Sequence, residues 1–383
     1  MRQIPITMRT ILFLLTALCC HIAVSAQAFI IPSTNINAKG YPHVLPDNSV
    51  EFKIRSNEDL SQMKVSLDPS CRFEKQADGT WMTHTKPLVP GFHYYWFNLG
   101  GMDLSDPASK SYFGCGRMTS AIDIPEEGCD FYDIKDVPHG RVGILTYYSK
   151  VRQANATVYV YTPASYSEGS NRYPVLYLQH GGGEDESGRT HQGKTNHILD
   201  NLIAEGKAKE MIVVMSNGNI TVPGTGFGYS IEGMRGFEEE LTKVIVPYID
   251  NNFRTIPDEQ HRALSGLSMG GGQAFFVGLQ HTELFSYIGV FSTGVFGGIR
   301  ETKSFDAEAA MPGLVSQYDK YNKALKLFYI SVGTDDPRLS STQKAVADMK
   351  QSGLAITFNT FPGDHEWQVW RKSLHDFAQK LFK

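Results

Sequence analysis

The stretch His261–His281, HRALSGLSMGGGQAFFVGLQH, constrains this chain more than any other. Arg262 to Leu267 reads as a short buried strand, and Gly271 to Leu279 as an apolar helix. Between them Gly266-Leu267-Ser268-Met269-Gly270 is a G-x-S-x-G turn. A serine in such a strand-to-helix turn sits on a tight bend, so its hydroxyl stands clear of the sheet. Glycines on either side let strand and helix approach without side-chain clashes. The helix start behind the serine adds free N–H groups and a positive dipole end. In a chain with 36 glycines the pentapeptide alone also arises by chance. Its meaning therefore depends on partners elsewhere.

Those partners sit at the ends of other strands. The region after Gly143 alternates strand and helix patterns: ATVYVYTP, YPVLYLQH (Tyr173 to His180), the amphipathic HILDNLIAEGKA, MIVVMSNG, and the helical GFEEELTKVIVPYIDNNF. YIGVFS, KALKLFYISVG and AITFNTFPG follow, with helices between the last two and after the end. Such alternation predicts a mostly parallel sheet covered on both faces, with working groups beyond the carboxyl ends of its strands. Gly181, Gly182 and Gly183 follow YPVLYLQH and can turn backbone N–H groups toward an oxyanion, with a second donor expected at Met269 N–H. Asp335 and Asp336 follow KLFYISVG, and Asp364 and His365 follow AITFNTFPG. The order Ser, Asp, His matches an α/β-hydrolase triad. His365 would take the Ser268 proton, and an aspartate would orient the imidazole. Asp336 is favoured, although spacing alone does not separate it from Asp335, and an Asp before Pro337 is also a good helix N-cap. His180 precedes the serine and would break the order.

Before Pro125 the pattern is β-type. SVEFKIRS alternates, MKVSLDP follows, and then WMTHTKPLVPGFHYYWFNLGG, with a hairpin signal at Asp78-Gly79. This predicts a small immunoglobulin-like sandwich over residues 27–125, joined through Ile124–Gly143 to an α/β-hydrolase domain counted from 126 to 383. The run His93 to Phe97 offers aromatic faces for sugar, but alternating core and edge packing explains it more simply.

Arg2 and Arg9 precede an apolar run, Ile11 to Cys20, and Val24-Ser25-Ala26 offers a cleavage site. Residues 1–26 thus read as a secretory signal peptide, too short in its apolar part to cross a bilayer, which implies an exported protein, periplasmic or extracellular. A lipoprotein reading through Cys19 or Cys20 lacks a good small-residue box before the cysteine. Cys71, Cys115 and Cys129 remain, an odd number that allows one disulfide at most; buried free thiols are the default. A net charge of −4 and a charged fraction of 20% give no field that favours nucleic acid or an anionic membrane. Gly188 to Thr195, GRTHQGKT, fits the phosphate-loop pattern. It does not leave its strand directly, and Glu184, Asp185 and Glu186 before it would repel a triphosphate. Asn155 and Asn219 open N-x-T sequons.

YPVLYLQHGGGEDE, QGKTNHILDNLIAEGKAKEMIVVMSNG, FEEELTKVIVPYIDNNFRT, ALSGLSMGGGQAF, SVGTDD and GDHEWQVWRKSLHDF together resemble carbohydrate esterase family 1, the esterase D-like group. The resemblance covers most of the chain from about Asn155 to Lys383. The leading strands, with PGFHYYWFNLGGMDLSDP, are similar to the early-set module that precedes such esterases in exported bacterial proteins. The resemblance implies Ser268 as nucleophile, His365 as base and Asp336 as acid, with oxyanion donors at Met269 and Gly182. It implies no metal and no organic cofactor, and a substrate among the feruloyl or acetyl esters of plant cell-wall xylan, feruloyl first. Arg189-Thr190-His191 stands where many relatives carry an aromatic residue, which bears on the acyl pocket. A siderophore esterase is the alternative enzyme, and a carbohydrate-binding protein with a relic hydrolase domain the non-enzymatic one.

Overall fold

Short strands and tight turns account for the first part of the computed structural model, which describes residues 29–220, 230–293 and 305–383. The leader at 1–26 and Thr221 of the second sequon lie outside the described residues. Strands β1 (His43–Val44), β2 (Val50–Arg55), β4 (Glu74–Lys75) and β5 (Thr80–His84) form one antiparallel sheet. Strands β3 (Lys64–Val65), β7 (Phe97–Leu99) and β8 (Met102–Leu104) form a second. A third joins β6 (Gly91–Tyr95), β10 (Arg117–Ile124) and β9 (Ser111–Gly114). Val50, Phe52, Val65, Phe73, Phe97 and Ile122 are among the side chains of their common core. Asp78-Gly79 makes the predicted turn between β4 and β5, with Gly79 at φ 79°.

Eight further strands make one mixed sheet in the order β11-β12-β14-β13-β15-β16-β17-β18. They are β11 (Arg141–Ser149), β12 (Ala154–Thr162), β13 (Val175–Gln179), β14 (Ile212–Ser216), β15 (Arg262–Leu267), β16 (Tyr287–Phe291), β17 (Leu327–Gly333) and β18 (Thr357–Phe361). The six from β14 to β18 pair in parallel, whereas β11 and β12 run antiparallel to each other and β12 to β14. The sheet is mostly parallel, as expected, and becomes mixed at one edge. The physical reason is the tight turn at Val151–Gln153, which folds β11 back on β12 as a hairpin; Gln153 sits at φ 53°.

Helices α1 (Gly188–His191), α2 (Thr195–Ala204), α3 (Ile231–Glu239), α4 (Val246–Asn252), α5 (Met269–Gln280), α6 (Leu339–Gln351) and α7 (Trp367–Ala378) cover the sheet. Alternation along buried strands feeds two cores. Val175 and Tyr177 of β13 face one, and Leu176 and Leu178 face the other. The second core also takes in Trp367, Leu374 and Phe377 of α7, and Phe92, Tyr112 and Ala121 from the third small sheet. Strand β6 is thus buried on both sides: Phe92 and Tyr94 face α7, and Tyr95 faces the small core. The aromatic run from His93 to Phe97 is packing rather than an open platform, since Tyr95 and Phe97 are buried.

A buried ion pair ties the two regions together. The Arg371 guanidinium on α7, 1% exposed, donates to both oxygens of Asp123 on β10 at 3.0 Å and to the Gln192 carbonyl. Breaking such a pair leaves a buried charge without compensation. Asp123→Ala is expected to lower the unfolding free energy by about 3 kcal/mol, read from urea denaturation.

Candidate active site

Strand β15 is buried at all six positions and delivers Ser268 at its carboxyl end. Ser268 takes φ 49° and ψ −112°, a backbone conformation that side-chain-bearing residues rarely adopt. It is held there by its N–H bond to the Phe291 carbonyl at 2.8 Å and by the immediate start of α5. A Cβ on Gly266 would stand 2.3 Å from the Gly270 carbonyl carbon, and one on Gly270 would stand 2.5 Å from the His180 carbonyl oxygen. Both motif glycines are therefore steric requirements of the bend.

The loops after β17 and β18 clasp each other: Thr334 N–H donates to the Phe361 carbonyl and Asp335 N–H to that of Gly363. This brings Asp336 to His365. His365 Nδ1 lies 2.8 Å from Asp336 Oδ2, and His365 Nε2 lies 2.9 Å from Ser268 Oγ. With the Nδ1 proton directed at the carboxylate, Nε2 is left to accept from the serine hydroxyl. Asp336 is buried and its other oxygen accepts from Arg338 N–H and Nη1, whereas Asp335 is exposed. Burial alone would raise the Asp336 carboxyl, but the hydrogen bonds from His365 and Arg338 and the charges beside it outweigh burial and hold it below its usual range. Trp370 stands edge-on to the His365 ring at 5.0 Å between centroids. Such a chain can move a proton from a serine hydroxyl to an imidazole and stabilise the imidazolium that results.

Met269 is the first residue of α5, so its N–H has no acceptor within the helix. Gly181 packs against the same bend, where an added Cβ would lie 3.5 Å from Ser268 Cβ, and the exposed Gly182 follows it. His180 takes no part in the chain of three. It is buried, accepts from Gly218 N–H through Nε2 at 2.9 Å and faces the Gly181 carbonyl through Nδ1, so it is a neutral brace between the ends of β13 and β14.

The phosphate-loop lookalike is used internally. Arg189 is buried and donates twice to the Gln179 carbonyl, Thr195 Oγ1 donates to the Arg189 carbonyl, and Gly193 N–H is taken by Gly188. Of the three residues expected to bear on the acyl pocket, Arg189 points inward and His191 is exposed edge-on to Tyr159. Cys71 is a buried free thiol and Cys129 a half-buried one, but Cys115 is exposed at the β9–β10 turn, against the buried default. Its turn position, at φ 55°, explains the exposure.

The residues around Glu184 were not anticipated. Its buried carboxylate accepts from Gly181 N–H and from the Tyr94 hydroxyl, and Tyr94 in turn meets Gln192 and Trp367. Tyr94 is 90 residues from Glu184 and 273 from Trp367, and no local pattern links them. Among the described residues one cluster could hold a metal ion: His139, His197 and Asp200, with ligand atoms within 4.8 Å of one another. Asp200 is already engaged there by His139, Gly140 N–H and Tyr161. The register of Tyr161 with Val213 puts the cluster toward the amino ends of the parallel strands, opposite Ser268.

A family model described as putative esterase matches residues 149–381. An endo-1,4-β-xylanase/feruloyl esterase of Xylanibacter ruminicola is 35% identical over 370 residues, covering 93% of this chain and 48% of its own length. The chain thus spans about half the length of that curated relative. A solved CE1 ferulic acid esterase from Anaeromyces mucronatus, in complex with ferulic acid, is 28% identical, with a TM-score of 0.57 over 66% of this chain and 95% of its own. An enterochelin esterase from Shigella flexneri covers 88% of this chain and 92% of its own with a TM-score of 0.63, but at 14% identity that likeness shows the fold alone. The resemblance to carbohydrate esterase family 1 is borne out.

Burial lowers the His180 imidazole from 6.5 to about 4. The unfolded chain binds this proton from about pH 6.5 downward, whereas the folded protein binds it only near pH 4. Stability therefore falls as pH drops through that window, by roughly 3 kcal/mol. His180→Gln has no such proton to bind, so its stability deficit against the wild type is expected to narrow between pH 7 and pH 4. Urea denaturation across that range checks it; parallel curves would mean that His180 does not titrate this way.

Proposed function

The chain belongs to the putative esterase family, and from that premise we propose that it is a carboxylic ester hydrolase with Ser268 as nucleophile, His365 as general base and Asp336 as the residue that orients it. The hydrogen-bonded chain Asp336–His365–Ser268 carries this reading. As Ser268 Oγ attacks the ester carbonyl, its proton passes to His365 Nε2, and the tetrahedral oxyanion is met by the N–H groups of Met269 and Gly182. His365 then gives the proton to the leaving alkoxide, leaving an acyl-enzyme. Water attacks that ester with His365 again as base, and the acid is released. The buried Asp336 carboxylate stabilises the imidazolium in both halves.

The substrate class is the feruloyl esters of plant cell-wall xylan. What supports it is the 35% identical relative named as a xylanase/feruloyl esterase and the 28% identical ferulic acid esterase fold. Acetylated xylan is the second reading, because the same chemistry serves any acyl group that the site admits. We read residues 27–125 as an early-set β-sandwich and the leader as an export signal, which together fit an enzyme that meets its polymer outside the cytoplasm.

Purified mature protein is expected to release ferulate from methyl ferulate and from feruloylated arabinoxylan. Ser268→Ala should lose at least roughly 10⁴-fold in kcat, and Asp336→Asn roughly 10³-fold or more. Acetate release without ferulate release would move the substrate to acetyl xylan. Undiminished hydrolysis by Ser268→Ala would overturn the mechanism.

A further inference from the structure

Glu184 is a buried ionisable group beside the site that acyl transfer leaves without a task. Its Oε2 accepts from Gly181 N–H at 3.1 Å, and the Glu184 N–H closes the same turn on the Gly181 carbonyl. Its Oε1 lies 3.2 Å from the Tyr94 hydroxyl. That hydroxyl accepts from Gln192 Nε2 at 2.9 Å and from Trp367 Nε1 at 3.0 Å. With both lone pairs filled, its single proton is directed at Glu184. On the far side of Gly182, the Gly183 carbonyl accepts from Gly116 N–H at 2.8 Å. Gly182 is therefore clamped between two anchors, one through Glu184 to Tyr94 on β6 and the other to the β9–β10 turn.

The clamp answers a physical need. Three successive glycines have little intrinsic preference for one conformation, yet an oxyanion donor must be aimed before charge develops. A loop of this composition needs external fixing to be preorganised. Resting on the reading of Ser268 as nucleophile and Gly182 as donor, we propose that Tyr94 and Glu184 are positioning residues for the 181–183 loop, which makes strand β6 and the β9–β10 turn part of the working site rather than of a detachable sugar-binding module. The mainly burial-driven rise of the Glu184 carboxyl to about 7 agrees with a group enclosed by this network rather than open to solvent.

Tyr94→Phe keeps the ring and removes only the hydroxyl. Its kcat on methyl ferulate is expected to fall roughly tenfold with KM within about twofold, because a misaimed donor weakens the transition state more than substrate binding. Its melting temperature should stay within a few degrees of the wild type. Glu184→Gln is expected to shift kcat in the same direction and serves if Tyr94→Phe does not fold. Asp123→Ala breaks the Arg371 pair that docks the same strands away from the loop, so it should lower stability and leave kcat unchanged. Full kcat in both Tyr94→Phe and Glu184→Gln would overturn the proposal, as would an equal kcat loss in Asp123→Ala. Ser268→Ala is measured alongside: if it stays active, the nucleophile assignment fails, whereas an inactive Ser268→Ala beside a fully active Tyr94→Phe sinks the positioning role alone.

Discussion

The strained backbone of Ser268 sets the terms for the rest of the fold. A side-chain-bearing residue at φ 49° costs on the order of 1–3 kcal/mol and persists only where its surroundings over-determine it. Here they do. Strand β15 is central in the sheet and buried along its length, and Ser268 N–H is fixed to β16. The first turn of α5 is pressed against His180 and Gln179 so closely that Gly270 has no room for a methyl group. The sheet also reverses its strand order at this point, since β14 lies to one side of β13 and β15 to the other. In open α/β sheets such a reversal, beyond the carboxyl ends of the strands, is where ligands bind.

Around that fixed point the polar groups are arranged by burial. Asp336 is enclosed and has His365 on one oxygen and Arg338 on the other. The carboxylate is therefore satisfied without water, and the imidazole has one preferred tautomer. His180, at the end of β13, shows a different arrangement for the same residue type. Enclosed without a carboxylate partner, it is held neutral and spends both ring nitrogens on backbone groups. Two histidines at strand ends of one sheet thus face different partners, His365 a buried carboxylate and His180 only backbone groups.

The parts of the site that follow from local chain geometry were legible in the sequence. The bend at Ser268 is written in Gly266 and Gly270, and the strand ends bearing Asp336 and His365 follow from apolar runs closed by glycine. The choice of Asp336 over Asp335 was not fixed by spacing; the clasp between the two loops, which turns one inward and the other out, provides it. Strand β11 was overlooked because RVGILTYYS is an edge strand with many exposed positions and carries no strong alternation. The Tyr94–Glu184–Trp367 network had no signature at all. Its members are separated by tens to hundreds of residues, and an acidic residue after three glycines reads as a solvated loop until the tyrosine that covers it is placed.

That long-range wiring also bears on how the two regions relate. Arg371 lies on α7, the helix that begins two residues after His365, and its guanidinium is divided between Asp123 on β10 and the Gln192 carbonyl. Gln192 in turn reaches Tyr94 and the Phe113 carbonyl through its side chain. The segment that looked like a phosphate loop is thus a buried connector, buttressed on one side by α7 and on the other by the leading strands. Buried polar networks of this kind add less net stability than apolar packing would, but they tolerate few alternative arrangements. A chain that needed only adhesion between two regions could have used leucine and valine. Arginine here docks α7 on the leading strands, whereas glutamine, tyrosine and glutamate hold the glycine loop beside Ser268.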